Sequence, residues 1–558
     1  MPALRQRAAV RVISTASPCI LSLTLESSLS YVARLVRQQS IFCCCHQVTL
    51  LRHHLLLIVH KPMLTEYRQR YSQFKTALSR EEYLFLSGQK EECETASLYS
   101  DNSDLFTSDI IAELQKSLAD ISDYREDDCE AIRHLIAFAT EGRLESSVRE
   151  LSSVIARDEA RATIQWKDHT LSFHEAFAAL TSEPDPQLRR ALSARCCEII
   201  SSVQDLRAER LARLHESAQA SGSTDYVALY SELRGIDYAH LATSANAFLA
   251  STESRYVAVL APLLQRDAQV SISEAHRSDL GWLQRLSRFD PYFPAWRLRE
   301  VYDETFRGLG IRTWQQTSIQ IDDALRPRKQ PRAFCSPIQI PDEIKLVFRP
   351  AGGQQDYQSL LHEAGHAQHF AWTSRHLRAE FCFTGDDAVT ETWAMLFQSL
   401  VLEQKWLATR LGFAESAEFR RTLAVHKLML VRRYAAKLNY EVELHAEKLK
   451  GTAGARYAEL LTDAVRVKYD ETEHLRDLDD GFYSANYLRA WAFEAQLREY
   501  LKSKYGSRWW ESRKAGEMLT DLWNTGSRYS ADRLAAMIGL GELSFDWLAE
   551  ELMEQVKD

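Results

Sequence analysis

Residues 356–370 read DYQSLLHEAGHAQHF, and the two histidines His362 and His366 stand four apart. Helical periodicity places such a pair one above the other on one face, so both imidazoles reach a single zinc ion. Glu363 follows the first histidine and lies about 100° round the helix, where its carboxylate holds the metal's water rather than the metal. His369, three past His366, points off that face and reads as packing or as a partner behind the ligands.

A catalytic zinc with an open position needs a third protein ligand. Six residues past His366 stands Trp372, not a third histidine. Nineteen and twenty past stand Gly385 and Asp386, so two common spacings find no glutamate. Twenty-five past stands Glu391, within GDDAVTETWAMLFQSL (385–400). There Val389, Trp393, Leu396, Phe397 and Leu400 recur with helical period, so Glu391 projects from a second helix toward the first. Asp386 and Asp387 read as caps of that helix, with the alternative that one of them orients a zinc histidine.

Upstream, CSPIQIPDEIKLVF (335–348) holds two alternating runs, Pro337–Ile340 and Ile344–Phe348, split by a Pro-Asp turn. It is the single segment that reads as strand. Gly352 and Gly353 end it before the zinc helix starts near Asp356. From Met63 to about Asp279 apolar residues recur three and four apart, as over Leu105–Ala119 and Leu188–Leu214. Breaks fall at SEPDP (182–186) and ASGSTD (220–225), SRFDPYFP (287–294) reads as a rigid aromatic connection, and RPRKQPR (326–332) as a solvated basic linker.

Composition agrees with a helical chain. Among 558 residues there are 20 Gly and 13 Pro, too few for a sandwich or barrel. Lys and Arg total 68 against 77 Asp and Glu, a net charge of −9 that excludes a generally basic nucleic-acid binder. Residues 1–62 stand apart, with seven basic residues against the single acid Glu26 and four of the ten cysteines. They read as an extension outside the fold, translated from an early start codon, with the working protein beginning at Met63. Past Met63 six cysteines remain without CxxC spacing, so neither a disulfide framework nor a cysteine zinc site is indicated. A reducing, cytoplasmic setting fits, and no apolar run is long enough to span a membrane.

With Glu391 at this interval, the sequence resembles the thimet oligopeptidase and oligoendopeptidase F family of zinc peptidases. The strand segment and glycine pair before the zinc helix, the phrase DYQSLLHEAGHA and the LGI segment (Leu309–Ile311) carry the resemblance. It implies a mainly α, two-lobed helical shell around a deep channel, with a small β-hairpin or sheet beside the zinc-binding helix. One zinc is held by His362, His366 and Glu391, Glu363 is the base, and the substrates are short unfolded peptides, with no nucleic acid and no membrane. The family draws its oxyanion donor from a late helix, a histidine followed five, nine and twelve residues on by tyrosines. The matching stretch, His474–Leu497, offers Tyr483 and Tyr487, either of which is the donor. It departs from the pattern at Leu478 and Ala490, which leaves His474 without an assigned role. Arg489 reads as exposed, with substrate-carboxylate binding as the alternative. The strand at Pro337–Phe348 is expected to pair with an extended peptide. Three portions follow: an extension over 1–62, a helical portion over 63–330, and a catalytic portion over 331–558 packed with the preceding part as one unit. Rival readings are a carboxypeptidase or peptidyl dipeptidase on the same scaffold, and a noncatalytic peptide-binding shell.

Overall fold

A computed structural model describes residues 44–121, 125–449 and 451–557, with side chains from residue 63. The chain divides into two units, Met1–Thr65 and Glu66–Asp558. The extension expected over 1–62 lies, as far as residue 43, outside the described residues. In the first unit the described backbone is helical from Cys44, the start of α1 (Cys44–Leu86). All that follows concerns the second unit.

The second unit is mainly α, as the shortage of glycine and proline requires. α2 (Glu126–Arg161) opens with Glu126, Asp127 and Asp128 and closes with Arg161, charges that complement the helix dipole at both ends. A hairpin that the sequence reading missed follows, β1 (Thr163–Trp166) antiparallel to β2 (His169–Ser172). Each strand has four residues, too few for alternation to stand out. Ser172 then starts the next helix with a capping box to Glu175. At SEPDP the expected break occurs, with Asp185 as N-cap and Pro186 in the first turn of the helix Pro186–Ser202. The periodicity over Leu188–Leu214 belongs to two helices rather than one, because Val203 separates Pro186–Ser202 from Gln204–Ala220.

Arg189 holds the SEPDP break in place. It is fully buried, its Nε pairs with the equally buried Asp279 at 2.8 Å, and its Nη atoms donate to the carbonyls of Glu183, Pro184 and Ala268 at 3.0, 2.8 and 2.9 Å. Farther on runs α3 (Tyr238–Leu263), capped by the Asp237 side chain.

Beside the motif helix lies the expected small sheet, enlarged by a strand that sequence did not reveal. β3 (Ile319–Asp322), β4 (Phe334–Gln339) and β5 (Glu343–Val347) run in the order β3-β5-β4, with β3 parallel and β4 antiparallel to β5. The basic stretch 326–332 is solvated only in part: Pro327, Arg328, Pro331 and Arg332 are exposed, but the loop is anchored through Arg326, Lys329 and Gln330. Lys329 is 2% exposed, and its Nζ donates to the Asp322 carboxylate at 3.1 Å and to the carbonyls of Asp322 and Ala324 at 2.7 and 3.0 Å. Arg326 donates to Asp322 and to the Ser87 carbonyl, and Gln330 N–H to the Leu86 carbonyl, so the loop is clipped to the end of α1. A buried ammonium is tolerated because its donors meet oxygen.

The remaining framework is α4 (Gln354–Trp372), α5 (Asp387–Gln398), α6 (Ala417–His445) and α7 (Tyr483–Tyr505). α4 packs along α5, α5 along α7, and α4 also rests on β4 and β5. The core contains Trp393, Trp406, Trp509, Trp510 and Trp523, all without exposure. Among the described residues no helix is long and apolar enough to cross a membrane.

Arg189→Met leaves Asp279 buried and unpaired. Its unfolding free energy is expected to fall by about 3–5 kcal/mol, read as a lower urea midpoint in circular dichroism.

Candidate metal centre

The start of α4 is fixed from outside. Asp356 accepts the backbone N–H groups of Ala351 and Gly352 at 2.8 and 2.7 Å, Gly353 N–H donates to the Phe293 carbonyl at 2.8 Å, and Tyr357 donates to the Pro294 carbonyl at 2.7 Å. The aromatic connection at 287–294 is therefore the seat of the motif helix. Phe289 and Phe293 are buried, and Tyr292 stacks on Phe413 with centroids 3.8 Å apart.

Next, α4 crosses α5 at Gly365. A Cβ at that position would overlap the Trp393 carbonyl oxygen and lie 2.6 Å from the Ala394 Cα. Only glycine lets the two backbones approach this closely. The crossing sets Glu391 opposite the histidine pair: His362 Nε2 lies 3.4 Å from Glu391 Oε2, and His366 Nε2 lies 3.8 Å from Oε1. One ligand atom from each of the three residues falls within 4.8 Å of the others.

Behind the ligands, Gln398 Oε1 meets His362 Nδ1 at 2.9 Å and Thr390 Oγ1 meets His366 Nδ1 at 2.8 Å. Both contacts fix the rings with Nε2 toward the centre, the task that the sequence reading offered to Asp386 or Asp387. Asp386 is instead the N-cap of α5, accepting from Ala388 N–H at 3.1 Å, and it binds both terminal nitrogens of Arg489 at 2.8 and 2.7 Å. Asp387 accepts from Asn486 at 3.3 Å. Arg489 is buried, pairs also with Asp532, and is neither exposed nor free for a substrate. Gln398 and Thr390 were missed, although Gln398 stands seven residues past Glu391, on its face of α5, and Thr390 is its neighbour.

Burial dominates the electrostatics. It raises the Glu391 carboxyl to about 7 against a hydrogen bond from Tyr483, with Asp387 adding to the rise. Glu363 is likewise raised to about 7 by burial, drawn down by His362, pushed up by Glu391, and drawn down again by the backbone of Cys335 in β4. The same burial, with His362 and His369 nearby, holds His366 well below the ordinary imidazole value. His369 does pack off the metal face: it is fully buried, lowered to about 4 by burial, and its Nε2 faces the Gly526 carbonyl at 3.2 Å. Glu391 Oε2 is buried with no hydrogen-bond partner. Two imidazole nitrogens and an orphaned carboxylate oxygen converging on one point fit a divalent cation, and zinc suits that nitrogen and oxygen set.

The tyrosines enter from α7, whose first turn follows two left-handed residues, Gly481 (φ 69°) and Phe482 (φ 56°). Phe482 is fully buried against Tyr238, with centroids 4.4 Å apart, which holds a conformation that costs a non-glycine residue energy. The Tyr483 hydroxyl donates to Glu391 Oε1 at 2.7 Å. Tyr487 makes no side-chain hydrogen bond among the described residues, and its ring packs on Tyr434 and Trp491 at 5.1 and 5.7 Å. His474 lies elsewhere, 3.0 Å from the Gln204 amide. His362, Glu363, His366, Glu391, Tyr483 and Tyr487 are thus brought together, and His474 is not.

Neither a protein-family model nor a curated protein matches the chain.

Two measurements follow from the geometry. Gly365→Ala should force α4 and α5 apart and lower zinc affinity by at least tenfold, read by competition with a chromophoric chelator. Glu363 binds more protons folded than unfolded between its ordinary carboxyl range and about 7, so its ionisation weakens the metal-free fold as pH rises through that window. Metal-free Glu363→Gln is therefore expected to melt above wild type at pH 8, with the difference gone at pH 4, by differential scanning calorimetry.

Proposed function

We propose that the chain is a zinc-dependent metallopeptidase that hydrolyses short unfolded peptides, of the kind its resemblance to the thimet oligopeptidase and oligoendopeptidase F family implies. The observation that carries this is the convergence of His362, His366 and Glu391 ligand atoms within 4.8 Å, with Glu363 on the same helix turn. Held by those three residues, a zinc ion supplies a Lewis acid that polarises a carbonyl and makes water a nucleophile near neutral pH.

The chain's own residues supply the rest. Glu363 takes the proton from the attacking water and delivers it to the leaving nitrogen, a shuttle for which a buried carboxylate one residue past a zinc ligand is suited. Tyr487 keeps its proton, since burial raises its phenol, and with no partner bound its hydroxyl is free to donate to the developing oxyanion. Tyr483 is already committed to Glu391, so its task is to hold that ligand in place. β4 is one of the two outer strands of its sheet and touches Glu363 through Cys335, which supports alignment of an extended peptide along that edge. A cytoplasmic setting agrees with the six free cysteines Cys93, Cys129, Cys196, Cys197, Cys335 and Cys382.

The test is hydrolysis of a mixed peptide pool, followed by mass spectrometry alongside metal analysis. Glu363→Gln is expected to retain one zinc and lose activity by about 10²-fold or more. Tyr487→Phe should lower kcat by about 10²-fold with KM little changed, whereas Tyr483→Phe should weaken zinc retention first. A zinc-loaded Glu363→Gln protein working at the wild-type rate overturns the reading.

A further inference from the structure

A cavity of ≈ 260 Å³ lies behind Tyr483, walled by residues of α1, α2, α5 and the start of α7. Because the Tyr483 hydroxyl also donates to Glu391, the cavity and the candidate metal centre share one wall. Four acids and two bases face it, and their pairing is uneven. Arg234 is committed to Glu141 and to the Gly385 carbonyl at 3.0 Å, with Asp387 at 3.9 Å. Asp480 pairs with Arg210 at 3.1 Å, and Asp387 takes the Asn486 amide at 3.3 Å. Glu145 has Arg210 and Arg149 nearby, and burial holds it above the usual carboxylate range.

Lys75, on α1, is the exception. Among the described residues it makes no hydrogen bond and no ion pair, although it lines the cavity. Burial holds its ammonium below the ordinary lysine value, against the more distant pull of Glu82, Asp387 and Glu141. A deep ammonium with no bonded partner is unfavourable until an anion meets it. None of these acids bonds to Lys75, and burial holds Glu145 and Asp387 themselves above the usual carboxylate range, so the ammonium has no direct anionic partner.

Resting on the peptidase reading, we propose that this cavity receives a carboxylate of the peptide, with Lys75 as its counter-ion. The space admits a side chain or a terminal residue, not a longer segment. Two sources share that chemistry, the free C-terminus and an Asp or Glu side chain close to the scissile bond. A terminal carboxylate held here sets how far from the end the chain is cut.

The experiment uses zinc-loaded Glu363→Gln protein, so that no ligand is consumed, and dansyl-labelled dipeptides read by fluorescence. One pair compares a free C-terminus with its amide; the other compares Glu with Gln inside an amidated peptide. The acid of at least one pair is expected to bind about tenfold tighter than its neutral counterpart, and the responding pair names the source. Adding Lys75→Met should abolish that preference and Lys75→Arg should restore it. Equal binding of acid and neutral ligands, or a preference that survives Lys75→Met, overturns the proposal. Hydrolysis of the peptide pool by wild type with no carboxylate preference sinks this inference alone. A Lys75-dependent preference in a protein that hydrolyses nothing sinks the peptidase reading and leaves the carboxylate site standing.

Discussion

The site depends on the backbone contact between two helices at Gly365. With any side chain there, α4 and α5 stand farther apart, and Glu391 retreats from both imidazoles. Other features serve that crossing. Asp386 caps α5 and ties it through Arg489 to α7, while its second oxygen takes the Ala531 N–H at 2.9 Å. Trp393, the residue whose carbonyl meets Gly365, is buried against Phe493 and Trp523. The ring of α4 contacts at Phe293 and Pro294 keeps the other helix from sliding along its axis.

Assembled without an ion, the centre works against its own fold. Glu363 and Glu391 are both raised to about 7, and His366 is pressed toward its neutral form, each chiefly by burial. An apolar cluster of the same volume would hold together with less conflict. Such conflict is expected where charge is kept for chemistry rather than stability. Around the crossing lies a core that includes five fully buried tryptophans.

What could be read from sequence followed the range of each signal. The histidine pair and the packing face of α5 are short-range periodicities, and the mainly helical composition needs no tertiary knowledge. Gly365 was not legible, because a glycine inside a helix reads only as a penalty of about 1 kcal/mol until its crossing partner is known. Lys329 reads as solvated because nothing in RPRKQPR announces that the Asp322 carboxylate and two carbonyls converge on it. β1, β2 and β3 have four residues each, shorter than the alternation by which a strand is recognised. Which tyrosine hydroxyl is occupied is a tertiary fact, the 2.7 Å contact of Tyr483 with Glu391, that no sequence spacing carries.

The clip between the basic loop and the end of α1 has a temporal side. Arg326 and Ser87 are 239 positions apart in the chain. At ~5–20 residues per second, a ribosome takes on the order of ten to fifty seconds to make the intervening stretch. Through that interval the carbonyls of Leu86 and Ser87 have no partner from the loop, and the flank of the sheet beside Glu363 is unfinished. Closure of so long a loop also slows folding after release, since the contact is rewarded only after its entropy has been lost. The early helix is thus a waiting surface, exposed to chaperones until the second half of the chain arrives.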